Sequence, residues 1–404
     1  MSQMQRPVLI VALAGLTAVA IAGFGARGGL SGQGVQYFIG ALIGGLAGFG
    51  LYHAAFGFTA AWRRVSRERR GAGLRAQVGL LAMTCAVTYL LIGFEDLTGW
   101  NMHPVVLPMG LSTALGALIF GIGMQLGGGC ASGTLFTLGG GSTRMIVVLA
   151  FFIAGSVWAT AHLPAFWQKL PEMTGIPNMP GISLIGLFGP LGAILALMAF
   201  CATIWWLSRT IELRTHGALE APRSTGSLLS GPWSLWAGAA VLAVVGILCF
   251  LVFARPWGIT AGFALWGAQI LDAVGVDIRS WDYWAVSWRT AQIEDGPFAN
   301  RTSLMNFGIV FGAMAAAALA GQYSPVWRLS LRDLLTAAIG GFLMGYGARL
   351  SYGCNFGAYL GGIASGSLHG WWWLIWGFAG SLLGTRLRGV LAMDPPISPR
   401  GAPA

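Results

Sequence analysis

The sequence predicts an all-α protein that crosses a membrane many times, on three observations. Hydrophobic residues make up 56% of the 404 residues and charged residues only 9%, against about 25% charged in soluble domains. Apolar runs of roughly 20 residues, the length that crosses a hydrocarbon core, recur along the whole chain. A cysteine in a glycine frame occurs twice in the same register, which marks two related halves.

The apolar runs fall at 8–25, 36–54, 78–94, 105–124, 145–163, 181–207, 233–254, 304–321 and 371–391, with a glycine-rich span at 334–348. The first run carries no small-residue cleavage signal, so it reads as a helix and not as a removed signal peptide. Between runs, "WRRVSRERRGAGLR" packs Arg63, Arg64, Arg67, Arg69, Arg70 and Arg75 into one short loop. Short arginine-rich loops stay cytoplasmic. The same rule places 208–224, Arg328 with Arg332, and Arg386 with Arg388 inside, and Glu95 with Asp96 outside. The formal net charge of +10 therefore reports topology and attraction to anionic lipid, and no nucleic-acid partner is implied. "RSWDYWAVSW" (279–288) reads as an interfacial aromatic belt with a short amphipathic helix, or as a lid over the outer vestibule.

Aligning Cys130 with Cys354 superposes 121–133 on 345–357, and six of the thirteen positions agree: Gly121, Gly123, Leu126, Gly129, Cys130 and Gly133 with Gly345, Gly347, Leu350, Gly353, Cys354 and Gly357. Gln125 faces Arg349. A second pair, "FGFTAAW" (56–62) and "WGITAGF" (257–263), keeps the same order. By the arginine rule the span before Gly57 runs inward and the span before Gly258 runs outward, so the halves are inverted. In inverted repeats, interrupted helices meet near the midplane and form the binding site. Glycine permits positive φ and close backbone approach, and the clusters around both cysteines predict two re-entrant or broken segments, with Cys130 and Cys354 facing a narrow path. Elsewhere Gly40, Gly44 and Gly48, Gly341 and Gly345, and Gly380 and Gly384 have the spacing of helix-packing contacts.

"GGGCASGT" lacks the Gly-Lys-Ser/Thr of a phosphate loop. Without a Cys-x-x-Cys, and with scattered histidines, zinc, haem and iron–sulfur ligands are missing, so no cofactor is expected. A disulfide between Cys130 and Cys354 stays open. Cys85, Cys201 and Cys249 lie in apolar runs as small hydrophobes. A thiol is a weak donor with a soft sulfur, suited to a soft sulfur or selenium atom. A thiolate would repel an anion and is costly in an apolar site, so the working form is the protonated thiol. Spans almost free of carboxylates argue against a cation path. Arg349 sets a positive potential at the mouth or else snorkels at the interface.

The doubled frame, the "FGFT"/"WGIT" pair, "RPWGITAGFALWGAQ" (255–269) and "SLMNFGIVFGAM" (303–314) resemble the YeeE/YedE family over about 36–391. The resemblance implies an hourglass-shaped, inverted-repeat helical transporter in a bacterial inner membrane, with both termini cytoplasmic and no enzymatic activity. The cargo it implies is a sulfur-containing anion, thiosulfate foremost. Cys130 and Cys354 would be the central contacts, framed by Gly129, Gly133, Gly353 and Gly357 and flanked by Gln125 and Arg349. Thiosulfate-transporting members use a further cysteine, for which Cys85 and Cys249 are candidates, and a cytoplasmic sulfur-carrier protein is the implied acceptor. Other soft species (a selenium oxyanion, sulfite, sulfide) and a membrane sulfurtransferase or oxidoreductase working through a cysteine persulfide stand as alternatives. The organisation expected is an extra N-terminal helix and loop at 1–35, a first repeat at 36–164, a linker helix and loop at 165–232, a second repeat at 233–391 and a disordered tail at 392–404.

Overall fold

The computed structural model describes residues 4–222 and 226–394. Its helices are α1 (Arg6–Ala26), α2 (Gly34–Ala54), α3 (Phe58–Glu68), α4 (Ala72–Gly93), the one-turn α5 (Glu95–Thr98), α6 (Leu111–Gly127), α7 (Ala131–Gly139), α8 (Arg144–His162), α9 (Leu170–Thr174), α10 (Leu184–His216), α11 (Leu235–Phe253), α12 (Ile259–Ala273), α13 (Ser287–Glu294), α14 (Arg301–Leu319), α15 (Leu331–Leu350), α16 (Gly361–Ala364) and α17 (Leu368–Val390). π-helical turns occur at Leu163–Trp167 and Asn355–Leu360, and among the described residues extended chain forms only isolated bridges. Among the described residues eight helices or helix pairs are long and apolar enough to cross a bilayer, so the chain is an all-helical, multi-pass membrane protein. α15 and α17 match the remaining two predicted runs, while α12 lies where no apolar run announced a helix.

Glycine decides which helices touch. A Cβ at Gly44 would lie 2.2 Å from the Met305 carbonyl oxygen and one at Gly48 2.1 Å from that of Ile309; from the other side, Gly308 and Gly312 face Ala41 and Gly45 at 2.4 and 2.0 Å. α2 and α14 therefore run parallel with backbones in contact, the approach small residues permit where lipid offers no hydrophobic drive for association. Gly121 and Gly380 do the same between α6 and α17, and Gly155, Gly341 and Gly345 between α8 and α15. The packing joins helices far apart in the chain: α2 lies on α14 and α11 on α4, α6 on α17 and α15 on α8, and α6 crosses α15. α10 is bent at Gly189 and Pro190, where proline removes a backbone donor.

The Trp-rich segment is in part a packed cap: Trp284 is 4% exposed and its indole donates to Thr160 Oγ1 at 2.9 Å, whereas Trp288 is 57% exposed. A buried indole needs a partner for its N–H, and Thr160 of α8 supplies it. Within the stretch expected as a disordered tail, Asp394 accepts from Arg388 at 2.6 Å and pairs with Arg67 at 3.0 Å. Burial works against its charge, but hydrogen bonding and charge from Arg388, then charge from Arg63 and Arg67, hold the Asp394 carboxyl below its usual range. The rest of that tail, 395–404, lies outside the described residues.

Candidate functional site

α6 stops at Gly127 because Gly128 takes φ +88°, a left-handed conformation open to glycine. Its last carbonyls are met from other helices: Arg144 donates to Leu126 O at 2.9 Å and to Gly127 O, and Arg388 to Gln125 O at 2.7 Å. Cations at a helix C-terminus satisfy both its orphan acceptors and its dipole. The chain then extends through Gly129 into Cys130 (φ −82°, ψ −169°), the N-cap of α7. The Cys130 carbonyl accepts from the Thr134 N–H at 2.7 Å and the Thr134 hydroxyl at 2.9 Å. Its sulfur lies 3.5 Å from Ser132 Oγ, and the amides of Ser132 and Gly133 face it.

The second motif repeats this pose. α15 ends at Leu350, Tyr352 and Gly353 take positive φ, and Cys354 (φ −116°, ψ −169°) is the N-cap of the Asn355–Leu360 π turn. The amides of Phe356 and Gly357 face its sulfur. Tyr352 stands where Gly128 stands, so this break holds a side chain in a backbone region that glycine prefers. Both cysteines are buried, at 2% and 0% exposure, and all five cysteines are free thiols; the disulfide left open by sequence does not form.

The motifs meet. α7 touches the Asn355–Leu360 segment, and a Cβ at Gly357 would lie 3.4 Å from the Cα of Gly258. Carboxamides from neighbouring helices tie down the starts of α3 and α12. Gln77 donates to Gly57 O at 3.4 Å, Gln125 to Thr59 O at 3.0 Å and to Ser381 Oγ at 2.8 Å, and Asn306 to Ile259 O at 2.9 Å. Arg349 goes elsewhere, donating to the Tyr283 hydroxyl at 3.2 Å, so the shared register with Gln125 gives no shared contact. Cys249 lines a small cleft with Thr84, Trp257 and Phe356, beside the second broken segment, while Cys85 sits in α4 against Tyr89.

Sequence reasoning named Gln125 but missed Gln77, Asn306 and Asn355; buried polar atoms without partners among the described residues include Thr59 Oγ1, Gln125 Oε1, Asn306 Oδ1 and both amide atoms of Asn355. The available signal was a lone Asn or Gln inside an otherwise apolar run. At the arginine-rich end a cavity of about 1050 Å³, lined among others by Tyr52, His53, Phe136, Gly140, Arg144 and Gln322, reaches the far end of α7.

Broken helices inside an apolar bundle that crosses the membrane many times fit a membrane transport protein. The family model "Sulphur transport" matches residues 53–383, and the chain belongs to that family. It is similar to the probable transporter YedE of Escherichia coli (strain K12), 33% identical over 154 residues; that match spans 37% of this chain and 37% of YedE. It is also similar to the thiosulfate transporter TsuA of Spirochaeta thermophila, 25% identical over 342 residues, covering 82% of this chain and 93% of that protein. A second TsuA, from Escherichia coli, is 26% identical over 271 residues, covering 65% and 70%.

Proposed function

We propose that this chain imports a small sulfur-containing anion, foremost thiosulfate, across a bacterial inner membrane along a path where the neutral thiols of Cys130 and Cys354 touch the substrate sulfur in turn. The observation that carries this reading is the shared pose of two buried, free cysteines, each capping a broken helix with its sulfur under backbone amides. The thiols match a soft sulfur atom through S–H···S contacts, each worth on the order of 0.5–1 kcal/mol by analogy with other weak hydrogen bonds. The amides stabilise its negative charge. Weak contacts at successive sites let the ion leave. Gly133 leaves the ion room beside the Cys130 sulfur, Gly129, Gly353 and Gly357 let the backbone around the cysteines pack closely, Gln125 fixes the α3 start, and Arg349 adds positive potential on the far side.

The exchange of packing partners supports an inverted repeat with an hourglass profile, the first half at 36–164 and the second at 233–391. The resemblance to the two TsuA proteins supports thiosulfate as the cargo. The arginine-rich end is read as cytoplasmic, with both termini there, and a cytoplasmic sulfur-carrier protein accepts the product.

The test is uptake of radiolabelled thiosulfate in cells lacking other sulfur importers. Cys130→Ser and Cys354→Ser should each lower the rate at least about tenfold, and unchanged growth on thiosulfate as sole sulfur source refutes the thiol path. Competition by sulfite, sulfide and selenite identifies another soft cargo. Sulfur added to either cysteine, read by intact mass, favours the persulfide sulfurtransferase instead.

A further inference from the structure

Asn355 follows Cys354 directly, at the first position of the π turn, with no exposed surface, and neither its amide nitrogen nor its carbonyl oxygen has a hydrogen-bond partner. A primary carboxamide carries two N–H donors and an acceptor oxygen, and burying them unmet is costly. Gln77, Gln125 and Asn306 each spend their nitrogen on a backbone carbonyl; Asn355 spends nothing. The matching place in the first half holds Ala131. The two cysteine sites thus share a backbone pose and differ in this polar group. The helical turn differs as well: the Tyr359 N–H reaches back five residues to the Cys354 carbonyl at 3.3 Å. Such π turns are concentrated at functional sites.

We propose that Asn355 contacts the substrate, recognising the oxygen end of a sulfur oxyanion while Cys354 touches its sulfur end. The inference rests on the anion-import reading above and adds the discriminating group. Thiosulfate presents both ends, hydrosulfide a soft sulfur alone, and sulfate oxygens alone. A buried donor that goes unmet rejects an analogue lacking its partner more strongly than an apolar pocket rejects a misfit. Because the carboxamide carries no net charge, it can bind the passing anion and still release it.

The experiment uses full-length protein in proteoliposomes, with Asn355→Leu, which keeps the approximate shape and removes the polar atoms, and Asn355→Ser, which keeps a smaller hydroxyl. The readouts are the KM for thiosulfate, inhibition by hydrosulfide and sulfate, and thermal unfolding in detergent. N355L should raise the thiosulfate KM at least about tenfold, the loss of one hydrogen bond to a charged group, and leave hydrosulfide inhibition unchanged. Its melting temperature should equal or exceed the wild type, since unpaired buried polar atoms are gone, and N355S should fall between the two in KM. An unchanged KM in N355L, an equal loss for thiosulfate and hydrosulfide, or uptake that falls in step with melting temperature in both variants overturns the inference. If wild-type vesicles take up no thiosulfate, the import reading itself fails. Uptake abolished by Cys354→Ser but indifferent to N355L removes the role of Asn355 alone.

Discussion

On the proposed path, a hydrogen atom in place of a methyl group at Gly133 keeps the Cys130 sulfur open on one side. A Cβ at Gly133 would meet only the Cys130 sulfur, at 3.5 Å, an ordinary contact, so alanine fits the fold there. Alanine also favours a helix by about 1 kcal/mol over glycine. Gly133→Ala should therefore keep or raise the melting temperature while cutting thiosulfate flux several-fold, because the added methyl occupies the side from which an ion reaches the sulfur; flux and stability falling together would contradict this. The two cysteines were legible in the sequence because a rare residue recurs in one register with its glycines. Asn355, Thr59, Gln77 and Asn306 were not, since a single polar residue in an apolar run has no spacing to read, and its importance depends on which carbonyl it reaches or fails to reach. Arg349 marks the opposite limit: register paired it with Gln125, but the fold sends it to Tyr283.

Helices here are positioned by what their glycines omit. Leucine at Gly48 would drive a side chain into the Ile309 backbone, where even a Cβ lies 2.1 Å from the carbonyl oxygen. Gly48→Leu should thus lower the yield of folded protein and depress the melting temperature by an amount equivalent to about 2 kcal/mol or more, the scale of overpacking. A variant with wild-type melting would show that α2 and α14 can part without cost. The spacing of Gly40, Gly44 and Gly48 pointed to packing, yet the partner, α14 in the other half, could not be named from spacing. Sequence likewise located both helix breaks but not their kind. α7 is a regular helix and Asn355–Leu360 a π turn, a difference of one residue in the hydrogen-bond ladder that no composition encodes.

Across the whole molecule, the distribution of charge is the basis for the orientation proposed above. Arg67 and Arg388 converge on Asp394 at the end where Arg144 caps α6, while Arg279 pairs with Asp272 and Glu294 in the loop region preceding α14. With native cysteines replaced, a cysteine at Glu68 should react with a membrane-impermeant maleimide only in inside-out vesicles and one at Asp282 only in right-side-out vesicles; the reverse pattern would overturn the orientation. The multi-pass helical class and the positions of the eight apolar spans were readable from the apolar runs, whereas which helices pair required coordinates. That pairing bears on how the protein is made. α2 leaves the ribosome more than 200 residues before α14, so its glycine face enters the bilayer with no partner and must wait there, against lipid or an insertion chaperone, until the second half arrives. The contact between α2 and α14 is therefore completed late in synthesis, once residues 301–319 have been made.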